Sequence, residues 1–116
     1  MTSMPLSLIA ASLLIAAISV GAYLVYVGLR RHKRMPQLGL THAGLAMAGF
    51  IALALQILEG PPARLNNLAA FFLALALIGG AMVFLLHEKG RPPSMPVVII
   101  HAIMGVIGLS LLLIGL

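Results

Sequence analysis

The chain has no cysteine and no aspartate, and its 116 residues carry only two acidic side chains, Glu59 and Glu88. Without cysteine there is no disulfide, no thiolate metal site and no thioether-attached cofactor. No carboxylate dyad, nucleophile–base pair or phosphate-binding loop is visible, which leaves no basis for hydrolase chemistry. Charge of either sign is scarce. Only 8% of residues are charged, against roughly 25% in a soluble domain. What fills the chain is apolar: 62% of residues are hydrophobic. The net charge of +5 would suggest nucleic acid in a soluble protein. Here the basic residues sit in short gaps between apolar runs, so they read as membrane topology signals and not as a nucleic-acid surface.

A helix needs ~20 apolar residues to cross the ~30 Å hydrocarbon core of a bilayer. Four runs meet this, at 6–29, 38–58, 65–86 and 97–116. The first reads as a span and not as a cleavable signal, because its positive charges follow the apolar stretch. Backbone polar groups must be satisfied internally in lipid, so each run is expected to be helical. Gaps rich in proline and glycine separate them: "RRHKRMPQ", "EGPPARLNN" and "HEKGRPPSMP". Asn66 and Asn67 are placed to cap the third span. The first and third gaps hold six basic residues (Arg30, Arg31, Lys33, Arg34, Lys89, Arg91) and the second holds only Arg64. The positive-inside rule then puts those two gaps in the cytoplasm and both termini on the outer, periplasmic side of a bacterial inner membrane. Short connections make neighbours antiparallel. The expectation is one all-α domain over residues 1–116, an up-down four-helix transmembrane bundle with spans two and four on a diagonal. Small residues at helical spacing (Ala10, Ala17, Gly21 and Gly28 in span one, Gly79 and Gly80 in span three) read as close-packing positions between helices.

Two stretches share a pattern. "THAGLAMAG" at 41–49 and "IHAIMGVIG" at 100–108 both read x-His-Ala-x-x-small-x-x-Gly. His42 and His101 each lie four residues into their spans, roughly 6 Å inside the cytoplasmic boundary at 1.5 Å per residue. One turn further in, each helix offers a small residue, Ala46 or Gly105. Two turns in, each offers Gly49 or Gly108. Positions i, i+4 and i+7 share a helix face, so each histidine has a groove of missing side chains beside it.

A planar tetrapyrrole requires such a setting: two imidazoles approach the iron from opposite sides, and small residues leave room for the ring. The residues therefore point to one haem b with His42 and His101 as axial ligands, Ala46, Gly49, Gly105 and Gly108 around it, and Arg31, Arg34 and Arg91 facing its propionates. His87, at the end of span three, is placed to bond a propionate or to replace one ligand. A single histidine near a helix end is ordinarily an interfacial residue. A pair at matched depth is harder to obtain from packing, because ionisable groups inside spans are costly and usually functional. A different metal, a proton or ion site, and polar packing stay open at this point. Tyr23 and Tyr26 read as interfacial belt residues.

"THAGLAMAGF" and "MVFLLHEKGRPPSMPVVIIHAIMGVIGL" resemble the ascorbate-reducible transmembrane b-type cytochromes. In that family a histidine early in one span pairs with a histidine two spans later, in a His-x-x-x-Gly setting after a proline-containing loop. Here His101 and Gly105 match that spacing, and Pro93 and Pro96 match the loop. The resemblance covers spans two to four and implies His42 and His101 as haem ligands. Family members have about six spans, a second haem near the opposite face, and an aromatic residue where Ile103 stands. Span three has no buried histidine and no span offers one near the outer face, so one haem is expected. More broadly the chain resembles small quinone-linked bacterial cytochromes b. The implied role is electron transfer, with quinone or a partner redox protein on the other side of the exchange, as an oxidoreductase or an electron-transfer subunit, alone or as a homo-oligomer. A haem or metal carrier, a sensor, and an accessory subunit of a larger complex would bind the same group without turnover. A small multidrug-type transporter would need a buried carboxylate in span one, which has none.

Overall fold

The computed structural model describes residues 5–31, 35–88 and 94–116, with the side chains of His87 and Glu88 left out of that description. Four helices account for nearly all of it: α1 (Leu6–Arg30), α2 (Pro36–Glu59), α3 (Arg64–Glu88) and α4 (Met95–Ile114). All four are long and apolar enough to cross a membrane. The long axis of the molecule is 47 Å, close to the ~40–45 Å of a bilayer with its headgroups. The protein is a multi-pass membrane four-helix bundle.

The helix starts differ slightly from the apolar runs. α2 and α4 begin two residues earlier than expected, with Pro36 and Pro96 inside their first turns. Proline fits there because its missing N–H would have had no intrahelical partner. α2 stops at Gly60, which turns into extended backbone and donates its N–H to Gln56 O at 2.8 Å. Pro61 and Pro62 then prevent continuation. Asn66 and Asn67 do not cap α3. The helix starts before them, at Arg64, and Asn67 N–H already donates to Ala63 O at 3.1 Å.

The packing is inverted relative to a soluble protein. The core is largely alanine (Ala10, Ala11, Ala17, Ala52, Ala69 and Ala76), while Leu58, Ile78 and Ile114 are among the many large apolar side chains facing outward. Lipid is as apolar as leucine, so close backbone approach and not expulsion of oil from water holds such helices together. Four hydroxyls on the outer faces are satisfied locally. Ser12, Ser19, Thr41 and Ser110 each donate to the carbonyl four residues back, at 2.7–3.0 Å, which is how such side chains are tolerated in a lipid-facing helix.

α1 packs most extensively on α2 and α3 on α4, while α2–α3 and α1–α4 touch less and the diagonal pairs have no close backbone approach among the described residues. The bundle is therefore two hairpins laid side by side. They are also two copies of one design. Residues 59 apart are identical at Ala10/Ala69, Leu14/Leu73, Ala17/Ala76, Gly21/Gly80, His42/His101, Gly49/Gly108 and Leu53/Leu112. These positions make the buried contacts. An added Cβ at Gly49 would lie 2.7 Å from Leu14 Cγ, and one at Gly108 would lie 2.6 Å from Leu73 Cγ. Leu53 and Leu112 are both fully buried. An approximate two-fold axis along the bundle thus relates α1–α2 to α3–α4, in the manner of parallel repeats in transporters.

The large buried side chains that join the hairpins (Leu14, Leu53, Leu73 and Leu112) lie toward the end that carries the α2–α3 connection. Toward the other end, where α1 hands over to α2, Val27 is the only large buried side chain among the described residues. That half of the bundle holds the histidines.

Candidate functional site

His42 and His101 come together across the diagonal. Their ring centroids are 6.0 Å apart and their planes are nearly perpendicular, at 88°. Each is held by its own hairpin in the same way. His42 Nδ1–H donates to Ala17 O at 2.7 Å, and His101 Nδ1–H donates to Ala76 O at 2.6 Å. A carbonyl oxygen can only accept, so Nδ1 carries the proton in both rings. A neutral imidazole protonated at Nδ1 has a bare lone pair on Nε2. The site therefore holds two histidines with bare Nε2 atoms, one from each hairpin.

The rings lie over glycine. A Cβ on Gly21 would come within 2.8 Å of His42 Cε1, and one on Gly80 within 3.0 Å of His101 Cε1. Gly79 also faces His101, with a built Cβ 3.2 Å from His101 Cβ. In the sequence these glycines read as helix-packing positions, and spacing within their own helices does not show their relation to the histidines. The 59-residue offset that links Gly21 to Gly80 as well as His42 to His101 was the available signal.

The remaining expected site residues divide. Ala46 and Gly105 are half-buried, one turn from the histidines. A Cβ on Gly105 would meet only Ala76 Cβ, at 4.0 Å, so room remains there. Gly49 and Gly108 do not provide room. Leu14 and Leu73 occupy the grooves they leave, because α1 and α3 pack directly on these positions. Arg31 caps α1 through its N–H to Val27 O at 2.9 Å. Its residue is exposed and lies ten residues beyond Gly21, about 15 Å along the helix, so it does not touch the histidines. Arg34, Arg91 and the His87 side chain lie outside the described residues.

His42 and His101 are each the seventh residue of their helices. Their carbonyl partners, Ala17 and Ala76, sit near the middle of α1 and α3. The reason is helix register: α1 runs past the start of α2 toward Arg30, so the α1 half of the hairpin overhangs.

Among the described residues, no group of three or more His, Cys, Asp or Glu side chains is close enough to hold a metal ion. A closed structural metal site commonly needs four protein ligands. Two histidines suffice for a metal that brings its own equatorial ligands. The spacing suits that case. A metal–imidazole bond is about 2.0–2.1 Å, which puts a ring centroid about 3 Å from the metal and two trans rings about 6 Å apart.

Comparison with known protein families, with curated proteins and with solved structures found no match to this chain.

Proposed function

We propose that this protein is a membrane b-type cytochrome, in which His42 and His101 hold the iron of one haem b between α2 and α4. One observation carries the reading: two histidines on diagonal helices, each with Nδ1 donating to a carbonyl of its own hairpin and Nε2 left bare, bring their rings to a centroid separation of 6.0 Å. Haem, when bound, supplies one-electron redox chemistry, and the protein supplies binding, orientation and electrostatics. The Ala17 and Ala76 carbonyls orient the rings, a role that metal-ligating histidines regularly assign to their second nitrogen. Gly105 leaves space one turn from the pair. The arginines of the α1–α2 gap put positive charge at the end of the bundle nearest the histidines, where carboxylates of the bound group would be balanced.

Symmetry narrows the ligand class. A pseudo-two-fold site with identical donors on both sides suits a metal centre or a planar tetrapyrrole better than an asymmetric molecule such as a quinone. Quinone, or a partner redox protein, belongs instead at the periphery as the electron-exchange partner. We place the protein in a bacterial inner membrane with both termini outward, on the six basic residues against one that separate the gaps.

Titration of the detergent-purified apoprotein with ferric haem tests the reading. The expected result is saturation at one haem per chain, with the sharp spectrum of a six-coordinate low-spin iron. Failure to saturate at one equivalent would overturn it.

A further inference from the structure

We propose that Gly21 and Gly80 are the positioning residues of the histidine pair: each uncovers one helix carbonyl, and that carbonyl fixes the tautomer and aim of the histidine on the neighbouring helix. The inference deepens the haem reading and rests on it for its consequence, though the tautomer it names belongs to the protein without haem.

The argument starts from helix geometry. The carbonyl of residue 17 points along α1 toward residue 21, whose N–H it accepts in the i to i−4 ladder. A carbonyl oxygen has a second lone pair, but a side chain at residue 21 would stand over it. Glycine leaves it open. The His42 ring fills the opening, with Cε1 2.8 Å from where a Cβ would be and Nδ1 2.7 Å from Ala17 O. The second hairpin repeats the arrangement with Gly80, Ala76 and His101. One hairpin alone would make this a packing detail. Two hairpins doing it at the same offset, with the two ring centroids 6.0 Å apart, make it a device.

An alanine at residue 21 would require the ring to withdraw. Carbon atoms pack comfortably at about 3.5–4.0 Å, so the displacement is about 0.7 Å or more. Metal–ligand distances tolerate about 0.2 Å. The ring would leave Ala17 O and lose its imposed tautomer. Gly28, on the same helix, has nothing among the described residues within 4 Å of a built Cβ and is the matched control.

The test uses the full chain labelled with 15N-histidine, first without haem. Ring nitrogen shifts should show two histidines protonated at Nδ1 and bare at Nε2, assigned to His42 and His101 by substitution. Gly21→Ala should abolish the imposed tautomer at His42 alone, Gly80→Ala at His101 alone, and Gly28→Ala at neither. In haem titrations, Gly21→Ala and Gly80→Ala should each weaken binding at least tenfold while Gly28→Ala matches the parent. A parent protein whose His42 and His101 rings carry the proton on Nε2 would overturn the proposal, and this reading needs no variant to fold. So would an unchanged His42 tautomer in Gly21→Ala. If the tautomers are as proposed and no variant or parent binds haem, the positioning stands and the haem reading fails, so the two outcomes are separable.

Discussion

Adding one methyl group at Gly49 should separate α1 from α2, and its cost can be worked out from the contact it makes. The new Cβ would lie 2.7 Å from Leu14 Cγ, 2.9 Å from Leu14 Cδ2 and 3.4 Å from Ala10 O. Comfortable carbon contacts are about 3.5–4.0 Å, so the pair is short by about 1 Å. Leu14 is only 4% exposed and Ala10 is fully buried, so neither yields without moving the helix. Overpacking of this kind costs about 1–3 kcal/mol. Replacing a helical glycine with alanine returns roughly 0.5–1 kcal/mol. Gly44, five residues earlier on α2, has nothing within 4 Å and collects only that gain. The difference between Gly49→Ala and Gly44→Ala is therefore the overpacking alone, about 1–3 kcal/mol. Unfolding of each variant in mixed detergent, followed by far-UV circular dichroism, measures it. Leu14→Ala in the Gly49→Ala background should recover about 0.5–3 kcal/mol relative to additivity, since the two residues touch. Gly108→Ala, with a built Cβ 2.6 Å from Leu73 Cγ and 3.3 Å from Ala69 O, should behave alike. Equal stability of Gly49→Ala and Gly44→Ala would refute the packing argument, and opposite results at Gly49 and Gly108 would refute the pseudo-symmetry.

Three further outcomes are expected. Leu53→Ala and Leu112→Ala remove fully buried side chains and should each cost about 2–5 kcal/mol, read in the same unfolding assay. Haem at a hundredfold excess over its dissociation constant should stabilise the parent by about 2.7 kcal/mol, and His42→Ala should lose most of that gain in a thermal-shift measurement. The ring planes of His42 and His101 meet at 88°, and two imidazoles held at that angle on a haem iron would leave its π-type d orbitals nearly equal in energy. Electron paramagnetic resonance of the ferric protein should accordingly show a strongly anisotropic low-spin signal, and an ordinary rhombic one would contradict that orientation.

The fold was legible because lipid imposes it. Runs of about 20 apolar residues between gaps such as "EGPPARLNN" leave few alternatives to four helices. The helix ends were less legible. Pro36 and Pro96 look like breaks but sit inside first turns, and Asn66 looks like a cap but is a buried residue within α3. At the site, the histidines stood out because each opened the same short pattern. The glycines beneath them did not, since a glycine in a membrane helix has many reasons to be there. Gly49 and Gly108 were misread for the same cause: both share a helix face with a histidine, yet that face also meets Leu14 or Leu73 from the neighbouring helix. Spacing along one helix shows which residues share a face. It does not show what the next helix puts against it.

The central claim is that both histidines bind one iron. The most direct measurement is the reduced-minus-oxidised visible spectrum of the protein purified from membranes, beside His42→Ala and His101→Ala purified in the same way. The account predicts a sharp α-band of b-haem type in the parent that is lost or broadened in each single variant. A parent without haem that stays colourless when haem is supplied, or a band unchanged in either variant, would contradict it.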